Sequence, residues 1–410
     1  MWPANVRASM SPTPTPQRIV VYFTGAAPGP VLPALSSSLT AAPARLVRLF
    51  QTRLDEDVVI GAVLDCDGQA EVEVALRRLA SEHGLHVHVQ PSAAQPKTGG
   101  RAFGVCVTLL GALADARALA EVTQRLSDAD FVVDEVRSLG QGTLVGAQLV
   151  ATHAGTPEPA RYAALRAGLL GQGPALGIDV AVQLDDFYRR SKRLLCMDVD
   201  STFVKGEFID DLAELAGVKD EVADITARAM RGELDFSSAL RARVRLLRGL
   251  PMARARQLCD RFELNPGAGE LVQTVRRLGL RVGLVSGGFN FFVEMLKERF
   301  GLDFAFANEL EVKAGLLTGE VVGSIVDGQR KAQLLRDMAH VFNVKLQQTI
   351  AVGDGANDIQ MLEAAGLGIA YQAKPKLKEV ADLSFDHHTR LDTLLYLMGF
   401  DAVEASRALE

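Results

Sequence analysis

The chain is 410 residues long, enough for roughly two or three domains. Apolar residues make up 48% and charged residues 23%, the balance of a folded protein with a full core. The net charge of −6 argues against a nucleic-acid partner, which calls for a basic face or stripe.

Residues 1–17, MWPANVRASMSPTPTPQ, hold no apolar stretch of the kind that heads a secretory signal, and their Pro, Ser and Thr content predicts a disordered segment. The cysteines Cys66, Cys106, Cys196 and Cys259 are scattered and form no CxxC pair. No apolar run approaches the ~18 residues of a membrane span. A cytoplasmic protein without a membrane partner is expected.

An internal repeat follows. The first copy has an apolar segment at 19–24, a helical stretch from about 31, strands near 46–50 and 58–64, a helix at 70–79, and Leu85-His86-Val87-His88-Val89-Gln90. The second has a strand at 103–110, a helix at 112–126, strands near 131–136 and 144–150, a helix around 160–170, and Ile178-Asp179-Val180-Ala181-Val182-Gln183. Both read βαββαβ by period and breaker residues. Both place a glycine just after the first strand, Gly25 and Gly111, and both close on G-[L/I]-x-V-x-V-Q. Residues 91–101, PSAAQPKTGGR, form a linker by composition. The order of elements resembles a tandem pair of ACT domains, regulatory modules of amino-acid metabolism, over 18–92 and 101–185. That resemblance implies an amino-acid effector such as L-serine near Gly25 or Gly111, and a homodimer through sheet edges. A generic ferredoxin-like pair with no ligand is the alternative.

From 194 onward short apolar strands (194–199, 282–285, 350–352, 367–370 and a weaker 383–385) alternate with helices, which predicts a doubly wound parallel sheet over 192–410. Residues 208–262 are helical throughout. Inserted after the first strand, they must cap the sheet's carboxyl edge, so a cap over about 206–264 is expected. Residues 306–322 read as a hairpin turning at Lys313-Ala314-Gly315. The fold class is thus an α/β doubly wound core with a helical cap, preceded by two α+β ferredoxin-like modules.

Four segments carry the chemistry: Asp198-Val199-Asp200-Ser201-Thr202, Ser286-Gly287-Gly288, Lys331, and Gly353-Asp354-Gly355-Ala356-Asn357-Asp358. Three sit at the carboxyl ends of predicted strands, where open α/β sheets bind ligands. Carboxylates gathered from separate strands repel one another, and a hard divalent cation relieves that repulsion. All-oxygen ligation points to Mg²⁺, held by the Asp198 and Asp354 carboxylates and the Asp200 carbonyl. Asp198 then suits a nucleophile for phosphorus and Asp200 a general acid and base. Lys331, the Ser286 hydroxyl and N–H groups of the glycine turns can neutralise the phosphoryl oxygens.

In this order the segments resemble the haloacid dehalogenase superfamily of aspartate-based phosphatases, and within it the phosphoserine phosphatases. The likeness extends over 192–385 and includes Glu207, the string LDFSSALRAR at 234–243 and Ala373-Lys374-Pro375. It implies that Asp358 supports the metal site and that Ser286, Gly287, Lys331 and Asn357 hold phosphate. Glu207 and Arg243 would grip the amino and carboxylate groups of phosphoserine, with Met230 and Phe236 on the cap's inner side. One departure is Met197, before the nucleophile, where Phe is common in the family. The implied reaction is Mg²⁺-dependent hydrolysis of O-phospho-L-serine, the last step of L-serine biosynthesis. The alternatives are phosphatase or phosphotransferase chemistry on another small phosphomonoester, and a regulatory protein whose phosphatase half is vestigial. His86, His88, His387-His388 and Phe291-Phe292 with Met295 are expected to be surface or core.

Overall fold

The computed structural model describes residues 17–26, 31–54, 56–92, 103–111, 117–139, 146–387 and 390–400. The expected disordered segment 1–17 and the linker 91–101 therefore lie almost wholly outside the described residues. The chain forms two compact units, Met1–Gly99 and Gly100–Glu410.

The first unit runs β1 (Gln17–Ala26), α1 (Val31–Ala41), β2 (Ala44–Leu54), β3 (Asp57–Cys66), α2 (Gln69–Glu82) and β4 (His86–Pro91), with strand order β2-β3-β1-β4. The period of 2 in β1 buries Ile19, Val21 and Phe23 while their neighbours face out. Helix α2 returns Val72, Leu76, Leu79 and Ala80 to the same core at helical spacing. His86 and His88 lie on the exposed face of β4.

The second unit begins with a like module: β5 (Phe103–Leu110), α3 (Arg117–Asp128), β6 (Phe131–Ser138), β7 (Gly146–His153), α4 (Pro159–Leu170), α5 (Gly173–Leu176) and β8 (Asp179–Leu184). Gly25 and Gly111 take φ of +141° and +132°, values that only glycine adopts readily. Each packs beneath the apolar residue just before the closing strand. A Cβ on Gly25 would stand 3.4 Å from Leu85 Cδ2, and one on Gly111 2.9 Å from Ile178 Cγ2. The repeat legible in the sequence is a repeat of this contact.

The remainder supplies β9 (Leu194–Met197), α6 (Phe208–Ala216), α7 (Lys219–Met230), α8 (Phe236–Leu246), α9 (Met252–Leu258), α10 (Ala268–Arg277), β10 (Arg281–Phe289) and α11 (Asn290–Phe300). After these come β11 (Phe304–Lys313), β12 (Leu316–Val322), α12 (Gly328–Val341), β13 (Thr349–Gly353), α13 (Ile359–Ala364), β14 (Gly368–Tyr371), α14 (Pro375–Lys378), β15 (Leu383–Phe385) and α15 (Leu394–Leu397). Strand β9 is fully buried between β10 and β13, parallel to both. Met197 pairs with Leu284 on one side and Val352 on the other, so the three strands are level where β9 ends. That register delivers Asp198, Ser286 and Asp354 to one edge.

Helices α6 to α9 form the cap. Its two connections pair with each other through a bridge between Val204 and Leu264 and the Lys205 N–H on the Glu263 carbonyl at 2.8 Å. Phe208 stacks on Phe292 with ring centroids 4.1 Å apart, seating the cap's first helix on α11.

The module of 103–184 and the doubly wound sheet are continuous. The strand order is β12-β11-β10-β9-β13-β14-β15-β8-β5-β7-β6, with β8 antiparallel to β15 at Ala181 and Leu383. Arg166 pairs with Asp382 at 2.6 Å, and the Asp179 carboxylate accepts the N–H groups of Asp386 and His387 at 2.9 and 3.0 Å.

Candidate active site

Asp198 follows β9, and its N–H donates to the Val352 carbonyl at 2.9 Å. Its Oδ1 accepts from the Val199 N–H at 2.7 Å and from Lys331 Nζ at 2.8 Å. Lys331 is fully buried on α12, and its ammonium also reaches Asp358 Oδ1 at 2.7 Å. Helix α12 holds this lysine by its start: the Asp327 side chain caps the Arg330 N–H at 2.9 Å. Asp358 Oδ2 accepts from the Gly355 N–H at 3.1 Å, and Asp354 Oδ1 from the Thr202 hydroxyl at 3.3 Å. Carboxylate oxygens of Asp198, Asp354 and Asp358 lie within 4.8 Å of one another.

Three buried carboxylates lie around one lysine, and the excess negative charge shows in the acidities of Asp198 and Asp354. Burial and the neighbouring Asp358 hold Asp198 well above the usual carboxylate range, against the pull of Lys331. Burial, then Asp358, pushes Asp354 up to about 6. Burial alone would weaken the Lys331 charge, but Asp198 and Asp358 raise its pKa above the ordinary lysine value. The uncompensated negative charge and the all-oxygen donor set fit a hard divalent cation.

Asp200 is held apart from this cluster. The turn after Asp198 takes φ of +57° at Ser201, with its N–H on the Gly206 carbonyl at 2.8 Å. Asp200 Oδ1 accepts from the Phe208 N–H at 2.8 Å and Oδ2 from the Ser286 hydroxyl at 3.2 Å. Burial raises its pKa, opposed by those two hydrogen bonds. Two carboxylates two residues apart thus sit in different surroundings, as separate chemical roles require.

The cap closes over the Ser286-Gly287-Gly288 loop. A Cβ on Gly287 would stand 2.6 Å from Phe236 Cζ, so only a glycine lets the ring rest there, and Asn357 Nδ2 lies 3.7 Å from the same point. Burial, then Asp200 and Asp354, lifts Glu207 to about 7, while its Oε1 accepts from the Ser201 hydroxyl at 3.4 Å. Arg243 is half-buried; its Nε has no hydrogen-bond partner and its Nη1 reaches Thr226 Oγ1 at 3.5 Å. Among the described residues neither Glu207 nor Arg243 forms an ion pair. Met230, expected on the cap's inner side, ends α7 and is 65% exposed. Gly25 and Gly111 are positioned as described above, and the loops that follow them, 27–30 and 112–116, lie outside the described residues.

Three residues to which sequence reasoning assigned no task emerge from the hydrogen bonds. Thr202 ties the turn after Asp198 to Asp354. Asn265 donates to the carbonyls of Ser201, Thr202 and Val204 at 3.2, 2.8 and 3.1 Å, bracing the turn that carries Asp200. Asn308 is 1% exposed and hydrogen-bonded on three sides. For Thr202 the signal stood in the DVDST string; for the two asparagines nothing local announced a partner.

Residues 195–363 match the haloacid dehalogenase-like hydrolase family. The fold and the buried acidic site define an enzyme of that class. Over 314 residues the chain is 44% identical to the phosphoserine phosphatase of Streptomyces coelicolor, covering 77% of this chain and 74% of that protein. It is 39% identical over 405 residues to phosphoserine phosphatase SerB2 of Mycobacterium tuberculosis, covering 96% of each. Among solved structures, the probable phosphoserine phosphatase of Vibrio cholerae aligns at a TM-score of 0.55 and 31% identity, over 75% of this chain and 89% of that one. A HAD family hydrolase from Salmonella enterica serovar Typhi aligns at 0.60 and 30%, over 72% and 98%. The chain belongs to the phosphoserine phosphatase family. Among the described residues no helix is long and apolar enough to cross a membrane.

Proposed function

We propose that the chain hydrolyses O-phospho-L-serine to L-serine and phosphate through a phosphoaspartate on Asp198, the last step of L-serine biosynthesis. The observation that carries this reading is the division of labour between Asp198, locked by Lys331 within the acidic cluster, and Asp200, held on Ser286. A carboxylate oxygen of Asp198 forms a bond to phosphorus as the bond from phosphorus to the serine oxygen breaks. Asp200, whose raised pKa favours carrying a proton, gives that proton to the leaving oxygen. In the second half Asp200 takes a proton from water, whose oxygen attacks phosphorus and releases Asp198. Asp198, Asp354 and the Asp200 carbonyl, with Asp358 behind them, would hold Mg²⁺, which would supply charge neutralisation at the phosphoryl oxygens. Lys331, the Ser286 hydroxyl, Gly287 and Asn357 hold the phosphate.

The substrate reading rests on Glu207 and Arg243, an acid and a base with no ion-pair partner among the described residues, facing a zwitterion's two charges. The names of the relatives point the same way. Purified protein with Mg²⁺ should hydrolyse phosphoserine with a higher kcat/KM than phosphoethanolamine, which lacks the carboxylate. Asp198→Asn should fold and lose turnover. Residual hydrolysis near the wild-type rate, or equal preference for the two esters, would overturn the reading.

The two βαββαβ modules are proposed to sense an amino acid such as L-serine and to pair subunits into a cytoplasmic homodimer. Support comes from the matched glycines and from β2, an edge strand that exposes Leu46, Leu49 and Phe50. Calorimetry of the intact chain with L-serine should register binding; absence of heat under turnover conditions would refute the effector.

A further inference from the structure

Strand β10 leaves its ladder where the chemistry begins. It pairs with β11 at Gly283–Phe304, Leu284–Ala305 and Val285–Phe306, then resumes only at Phe289–Asn308. Between these points Ser286-Gly287-Gly288 bulges out, and its carbonyls lose the partners an unbroken parallel strand would provide. Asn308 replaces them. Its Nδ2 donates to the Gly287 carbonyl at 2.8 Å and to the Gly288 carbonyl at 3.2 Å, while Oδ1 accepts the Val326 N–H at 2.8 Å. Both amide hydrogens and the oxygen are used in a site 1% exposed, and the partners fix which end is nitrogen.

We propose that Asn308 is the positioning residue of the phosphate site, one carboxamide that sets both the Ser286 loop and the helix bearing Lys331. The inference rests on the phosphatase reading above. A trans peptide points its C=O and N–H in opposite directions. Holding the Gly287 carbonyl therefore aims the Gly288 N–H, which donates to Ser286 Oγ at 2.8 Å, and Ser286 in turn reaches Asp200. On the other side Val326 enters Asp327, the cap of α12, whose carbonyl takes the Lys331 N–H at 2.8 Å. The side chain of Asn308 is spent on the backbone of Gly287, Gly288 and Val326. It acts through the peptide plane on one arm and the helix start on the other.

The test is a double-mutant cycle. Asn308→Asp keeps size and the acceptor for Val326 but turns an oxygen toward two carbonyls; Asn308→Ser removes the reach without adding charge. With p-nitrophenyl phosphate and with phosphoserine, each variant should lose on the order of 100-fold in kcat/KM, the scale of an ångström's misplacement. Inhibition by inorganic phosphate should weaken in parallel, with the thermal midpoint of at least one variant near wild type. Combined with Ser286→Ala, the loss should fall clearly short of the product of the single losses, because the two residues share the Ser286 loop while the arm toward Lys331 belongs to Asn308 alone. Wild-type kcat/KM in both variants, fully additive losses, or failure of both variants to fold would each overturn the proposal. Wild-type protein inactive on both esters would instead sink the phosphatase reading, which keeps the two failures distinct.

Discussion

Replacing Asp354 by asparagine should stabilise the metal-free protein while removing its response to magnesium. In the folded chain the Asp354 pKa stands at about 6, driven up by burial and by Asp358, against about 3.9 for an unfolded aspartate. A carboxylate whose folded pKa is raised contributes stability below its unfolded pKa and loses it as pH rises through the folded value. The Asp354 contribution to metal-free wild type should thus be lost between about pH 4 and about 6. At about 1.4 kcal/mol per pKa unit the accumulated cost is about 3 kcal/mol. The amide carries no charge and keeps an oxygen for Thr202, so most of that cost disappears. At about 2–4 °C per kcal/mol for a domain of this size, the variant should melt about 5–10 °C higher in EDTA at pH 7.5. Added magnesium should raise the wild-type midpoint, since a ligand that binds only the folded state stabilises it, and leave the variant unmoved. Scanning calorimetry at several pH values, with chelator and with metal, reads both effects. A variant that melts at or below wild type in chelator, or that gains as much from magnesium, would refute the electrostatic account.

Gly287→Ala places a methyl 2.6 Å from the Phe236 ring, so α8 must retreat for the cap to close. KM for phosphoserine should rise several-fold with a smaller change in kcat, and Phe236→Leu should restore it in the double variant; an unchanged KM in Gly287→Ala would deny the contact. Glu207, pushed up to about 7 by burial and by Asp200 and Asp354, attracts an ammonium only when ionised. The ratio of kcat/KM for phosphoserine to that for p-nitrophenyl phosphate should therefore climb between about pH 6 and 8. Glu207→Gln should flatten that climb and cut phosphoserine kcat/KM about 10–100-fold, the worth of one hydrogen bond to a charge; a climb that persists in the variant would remove Glu207 from recognition.

The buried strands were legible because they are short, apolar and bounded by breakers, and the ends of β9 and β13 located the acids, as the sequence after Val285 located Ser286, without further help. The repeat was legible because Gly25 and Gly111 recur at equal places before a G-[L/I] pair, and the structure turns that coincidence into a shared contact. Arg243 was not legible from the residues: Arg241, Arg245 and Arg248 share its helix or the turn beyond it, and only resemblance singled it out. The two-residue bulge after Val285 was hidden too. Periodicity describes strands that stay in register, whereas a bulge depends on what the neighbouring strand offers, here one carboxamide at 308. The antiparallel pairing of β8 with β15 escaped for a similar reason, since edge-to-edge pairing between modules leaves no local pattern.

That last pairing has a bearing on how the catalytic half could exist alone. A chain begun at residue 192 would keep every acid of the site but bare the flank of Leu383-Ser384-Phe385, and an apolar strand with open N–H and C=O groups recruits other chains. Only β15 and β14 separate β8 from β13, the strand that runs into Asp354. The second βαββαβ module is thus a flange on the catalytic plate, and shearing it off would trade solubility for nothing the chemistry needs.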